Sequence, residues 1–75
     1  MWDTIKDIIL AACDTIDEDK LTPEARLVED LNISSLEALS IFSDLEDEFD
    51  IKISNKESRK LITLGDLKAL VEEKA

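Results

Sequence analysis

The sequence has no histidine and no tyrosine, and only one cysteine, one glycine, one proline, one tryptophan and two phenylalanines among 75 residues. Without histidine, neither a Ser-His-Asp triad nor a Cys-His pair can be assembled. A lone Cys13 makes neither an internal disulfide nor a zinc site. One glycine leaves no phosphate-cradling loop, and the scarcity of glycine and proline disfavours hairpins. No apolar run approaches the ~20 residues of a membrane span, and no charged-then-apolar leader opens the chain. Basic residues are also scarce, 9 against 19 acidic, for a formal charge of −10. Such a field repels nucleic acid and anionic bilayers, so a docking partner is expected to present Lys and Arg. A reducing cytoplasm is the expected setting.

What is present is 44% hydrophobic and 37% charged, a balance that favours packed helices. An all-α fold is expected, in one domain spanning residues 1–75. At this length roughly 60% of the chain's surface can be buried, so the core is small.

From Trp2 to Ile16, Ile5, Ile8, Ile9, Ala12, Cys13 and Ile16 repeat at three-and-four spacing, which predicts a first helix with Cys13 packed on its apolar face. Residues 17–34 have no sustained period. Leu21, Leu27, Val28, Leu31 and Ile33 are nevertheless too apolar for water, so the loop is expected to pack on the helices. Thr22, Pro23 and Glu24 predict a short helical turn there. Read as a calcium loop from Asp17, the segment puts Thr22 where the turn glycine belongs and Val28 where a bidentate glutamate is needed, which excludes an EF-hand.

In the next segment, Ala38, Ile41, Phe42, Leu45 and Phe49 converge on one helical face, whereas Leu36 projects away beside Ser40, Asp44 and Asp47. Ser34 followed by Glu37 forms a capping-box pattern, making Ser34 the N-cap and Ser35 the first helical residue. A first-turn hydroxyl lies beside unpaired N–H groups and the positive end of the helix dipole, where a phosphate ester is well tolerated. Local physics is equally satisfied by a structural serine. The stretch "DLEDEFD" places five acids in residues 44–50, which suits a solvated face, a basic partner or loosely held divalent cations. Ile51 and Ile53 are expected anchors, 55–60 a brief helical turn, and Leu64, Leu67, Leu70 and Val71 a last helix capped by Thr63 with Asp66.

In order, these features resemble a bacterial acyl carrier protein, the phosphopantetheine-binding carrier family, over almost the whole chain. The resemblance is carried by "EDLNISSLE" at residues 29–37 and "EDEFDIKI" at residues 46–53. It implies a four-helix acyl-carrier-like bundle: three main helices, a short third helix, and a long packed loop between the first two. It further implies a non-enzyme carrying acyl intermediates as thioesters on a 4'-phosphopantetheine joined covalently to Ser35. The synthesis served would be that of fatty acids, polyketides or related lipids. A phosphopantetheinyl transferase would install the group. Acyl-loading and acyl-processing enzymes with basic docking patches would meet Leu36, Glu37, Leu39, Asp44, Asp47 and Glu48. No catalytic or metal-ligating residue is implied.

Three departures from the family pattern stand out. Ser34 replaces a usual aspartate before the modified serine, Ser40 a common glutamate and Ser43 a frequent apolar contact, while Phe42 adds bulk on the inner face. They suggest a specialised carrier, and the loss of the aspartate keeps open an unmodified carrier-like adaptor that docks basic partners. The chain begins at Met1, ends soon after the last helix and shows no linker, so a free-standing monomer is expected.

Overall fold

The computed structural model describes all residues, Met1 to Ala75. Four α-helices follow in order: α1 (Trp2–Ala12), α2 (Ser35–Phe49), α3 (Asn55–Ser58) and α4 (Leu64–Lys74), with one 3-10 turn at Glu18–Lys20. There is no sheet, only an isolated bridge between Arg26 and Thr63. The expected all-helical architecture is therefore observed, including the short third helix. No helix is long and apolar enough to cross a membrane.

The three later helices begin in the same way. Ser34, Ser54 and Thr63 each accept a hydrogen bond from the N–H three residues on, and Glu37, Glu57 and Asp66 each accept one from the N-cap N–H. Each box satisfies two helix-end donors, which fixes where the helix starts. α2 ends on Asp50 in the left-handed region (φ 53°), and the Ile51 N–H turns back to the Glu46 carbonyl. The Ile53 N–H then donates to the Glu46 carboxylate at 2.7 Å, fastening the strand-like 51–54 segment to α2.

The core gathers Ile5 and Ile9 from α1, Ile41 and Leu45 from α2, and Leu64, Leu67 and Val71 from α4. The long loop closes one end of it with Leu21, Ala25, Leu27, Leu31 and Ile33, all buried. That loop is sewn to the start of α4: Leu27 N–H donates to Ile62 O, Leu64 N–H to Ala25 O, and Gly65 N–H to Pro23 O at 2.8 Å. A β-carbon on Gly65 would lie 3.0 Å from that same Pro23 oxygen, so the single glycine permits the approach.

Three local expectations are corrected. α1 stops at Ala12 rather than Ile16, because Cys13 leaves helical geometry (φ −132°, ψ 82°) and no basic side chain complements the helix end, where Asp14 follows instead. Cys13 is still buried and Ile16 still packs on the core, through a turn. Val28 is exposed: the 26–31 segment coils tightly, so Leu27 points inward and its neighbour outward. The helical turn of this loop falls at Glu18–Lys20, ahead of Pro23, where the chain makes only a simple turn closed by Ala25 N–H on Thr22 O.

Leu45 is fully enclosed, so Leu45→Ala is expected to cost about 3 kcal/mol, read as a lower urea midpoint with an unchanged slope. The box carboxylates give a second prediction. Glu37, Glu57 and Asp66 are held below their ordinary values of 4.5 and 3.8, foremost by backbone N–H donors of the N-cap residues. Depressed carboxylates add stability that is fully present above about pH 5 and is lost as pH falls through the folded values. Wild-type protein should therefore lose its advantage over a Glu37→Gln/Glu57→Gln/Asp66→Asn variant between pH 5 and 3, in urea titrations at matched salt.

Candidate functional site

The two serines at the head of α2 share a backbone but not a task. Ser34 is extended (φ −74°, ψ 166°), its Oγ accepts from Glu37 N–H at 3.2 Å, and its own N–H donates to Glu37 Oε1 at 3.0 Å. Ser35 is exposed, and its hydroxyl takes part in no hydrogen bond within the chain. The register that separates them is set just upstream. Asn32 adopts the left-handed conformation (φ 55°), which asparagine tolerates better than most residues, and Ile33 drops into the core. Arg26 braces the preceding turn, its backbone N–H donating to Asp30 Oδ2 at 2.8 Å and its guanidinium pairing with Glu29 and Asp30.

At the first turn of α2, Glu37 N–H is taken by the cap and Ala38 N–H by the Ser34 carbonyl. The N–H groups of Ser35 and Leu36 have no acceptor in the chain. Two free donors at the positive end of a 15-residue helix, next to a free hydroxyl, suit a phosphodiester on that hydroxyl. Ser35 also stands on the rim of a cavity of about 360 Å³ whose apolar wall is formed by Leu27, Ile33, Ala38, Phe42 and Leu61. Phe42 thus lines this space from α2, as its inner-face position suggests, and Ser58 closes it from α3. A phosphopantetheine fits these residues: a free hydroxyl in solvent, donors for the phosphate, and an apolar recess alongside.

Of the expected docking residues, Leu36 is 78% and Leu39 60% exposed, large values for leucine. Leu36, Glu37, Ser40 and Asp44 share a shallow groove with Ala11 and Ala12 of α1. Asp44, Asp47 and Glu48 continue into a second groove with Thr4, Asp7 and Ile8. Five of the six docking candidates therefore lie along the α1/α2 seam. Leu39 is outside both grooves. The sequence reading missed the contribution of α1, whose Asp7 adds a carboxylate to the acidic groove; its place off the apolar stripe was the available signal. It also missed Val28, Asn32, Ser58 and Leu61 around the Ser35 cavity, because no local pattern brings residues so far apart in sequence together.

Beneath the site, the Glu37 carboxyl is held below the usual range first by the Ser34 backbone N–H, then by the Ser34 hydroxyl and the Cys13 thiol. The Cys13 thiol is pushed up to about 11, chiefly by burial and then by Glu37. It is a protonated packing group near neutral pH, as its apolar setting implies.

Comparison with known proteins identifies the family. The family model described as the phosphopantetheine attachment site matches residues 3–72. An acyl carrier protein of Thermotoga maritima is 36% identical over 59 residues, covering 79% of this chain and 73% of the relative. Among solved structures, a protein of Mycobacterium tuberculosis provisionally named an acyl carrier protein superposes with a TM-score of 0.88. It shares 32% identity, and the match covers 96% of this chain and 95% of that one.

Proposed function

The chain belongs to the acyl carrier protein family, a carrier and not a catalyst, whose covalent group is 4'-phosphopantetheine, and we propose that the Ser35 hydroxyl is the atom that holds it. When bound, the group supplies a thiol on a flexible arm, on which an acyl unit is held as a thioester. The single observation that carries the assignment is the division of labour at the head of α2, where Ser34 Oγ is engaged in the cap while Ser35 Oγ is free and exposed. The serine that replaces the family's usual aspartate keeps the cap and gives up a charge.

On this reading the chain's own residues do three things. The free N–H groups of Ser35 and Leu36 face the site of the phosphodiester, the recess walled by Ala38, Phe42 and Leu61 receives apolar cargo, and the α1/α2 seam receives partner enzymes. Leu36 inserts as the apolar contact, and Asp44, Asp47 and Glu48 meet basic groups on the transferase and on acyl-processing enzymes. Leu39 offers a further apolar contact outside that seam. Glu37 serves mainly as the cap, since its carboxylate is already committed to Ser34. Residues 1–75 act as one acyl carrier domain, a monomer. Ser40 and Ser43 thin the docking face at mid-helix, which favours a specialised carrier of fatty acid, polyketide or related lipid synthesis. Docking governed by exposed charge is fast, weak and sensitive to salt.

Incubation with coenzyme A, magnesium and a broad-specificity transferase, followed by mass spectrometry, is expected to add one phosphopantetheine to wild type and to Ser34→Ala, and none to Ser35→Ala. Modification of Ser35→Ala but not Ser34→Ala would move the site by one residue. No modification by any transferase would leave an unmodified adaptor. For the seam, Asp47→Lys should slow modification several-fold at low salt, with the gap closing near 0.5 M salt as screening shortens to a few ångströms. Equal rates at low salt would remove the electrostatic role.

A further inference from the structure

The ion pairs of the chain use Lys6, Arg26, Lys68 and Lys74, four of its nine basic residues. Of the other five, Lys52, Lys56, Arg59 and Lys60 fall within nine consecutive residues, on α3 and its flanks, and all four are exposed. The one acid among those nine, Glu57, is spent: its carboxylate accepts from Ser54 N–H and pairs with Lys74 at 3.0 Å. In a molecule of net charge −10, the α3 region therefore gathers four cations outside any ion pair, of which Lys60 alone shares a groove with the acids Asp66 and Glu73, while residues 44–50 carry five acids and no base.

This cation cluster borders the functional site. Ser58 and Leu61 line the same cavity as Ser35, so an enzyme that reaches Ser35 from the α2 side also covers the edge of α3. Exposed apolar side chains adjoin the cations: Val28, 69% exposed on the cavity that Ser58 also lines, and Ile62, 61% exposed two residues beyond Lys60. An apolar centre with a charged rim is the common anatomy of a protein interface.

We propose that Lys52, Lys56, Arg59 and Lys60 form a second docking surface, which meets an acidic patch on an acyl-processing partner while the α1/α2 seam meets a basic one. The surface itself follows from charge and position; only the identity of the partner as an acyl-processing enzyme rests on the carrier reading. Two patches of opposite sign fix the orientation of the partner as well as its attraction, because a partner turned end for end sets like charges together. A protein is favoured over a lipid surface, since the whole-molecule charge opposes approach to an anionic bilayer.

The probe is a 15-residue poly-glutamate peptide, titrated at low salt into the full-length protein and followed residue by residue in amide NMR spectra. Shifts confined to residues 52–62 are expected. Apparent Kd should rise at least fivefold in Lys56→Gln/Arg59→Gln/Lys60→Gln and stay unchanged in the charge-keeping Lys56→Arg/Arg59→Lys/Lys60→Arg. Absence of shifts there, or equal affinity in the neutralised variant, would overturn the proposal. So would equally tight binding of phosphatidylglycerol vesicles through the same residues, which would assign the cluster to lipid headgroups. Mass gain with coenzyme A and transferase, measured on the same samples, separates the two readings. A protein that binds the peptide but never gains the group keeps this surface and loses the carrier assignment, and one that gains the group but ignores the peptide does the reverse.

Discussion

Two reciprocal hydrogen bonds between Ser34 and Glu37 determine where α2 begins, and most of the functional geometry follows from that point. Starting the helix at Ser35 sends Ile41 and Leu45 into the core, turns Leu36 to solvent and leaves Asp44, Asp47 and Glu48 exposed along the seam with α1. A slip of one residue in that register would rotate every side chain by about 100° and take Ile41 and Leu45 off the core. The same two bonds occupy one serine and so leave the other free. The cap that stabilises the helix also selects which oxygen faces outward.

Much of this was legible in the sequence because it is local. The S-x-x-E pattern at Ser34 and Glu37 and the T-x-x-D pattern at Thr63 and Asp66 each lie within one helical turn, and both boxes are formed. The period of α2 separates Leu36 from Ile41 and Leu45 without reference to any partner, and the burial of Leu21, Leu27, Leu31 and Ile33 follows from apolarity alone. The features that escaped depend on tertiary context. The end of α1 falls where Cys13 leaves helical geometry, and the exposure of Val28 follows from how tightly 26–31 coils. The walls of the Ser35 cavity join the 27–33 loop to α3 and Leu61, across a separation that no periodicity spans. Among the carboxylates of α2, the capping pattern marks Glu37 as bound, whereas nothing local marks Glu46. Glu37 is committed to its cap and Glu46, never among the docking candidates, to the Ile53 N–H.

Charge is sorted along the chain in the same economical way. Acids that are needed for structure sit at N3 of a helix or reach back to a turn, while Asp7, Asp44, Asp47 and Glu48, free of such duties, line the groove between α1 and α2. Apart from Lys20, the few cations divide likewise between ion pairs and the α3 region. A strongly acidic molecule thereby keeps one region richer in cations, and that region adjoins the cavity on which Ser35 stands.

α3 is the thinnest part of this frame. It is four residues long, buries none of them, and is held by its own capping box, by the Glu57–Lys74 pair and by Leu61 resting on the core. Elements so poorly anchored open at a small fraction of the global unfolding free energy. α3 is thus the side of the Ser35 recess that costs least to displace, while α1, α2 and α4 share the fully enclosed residues of the core.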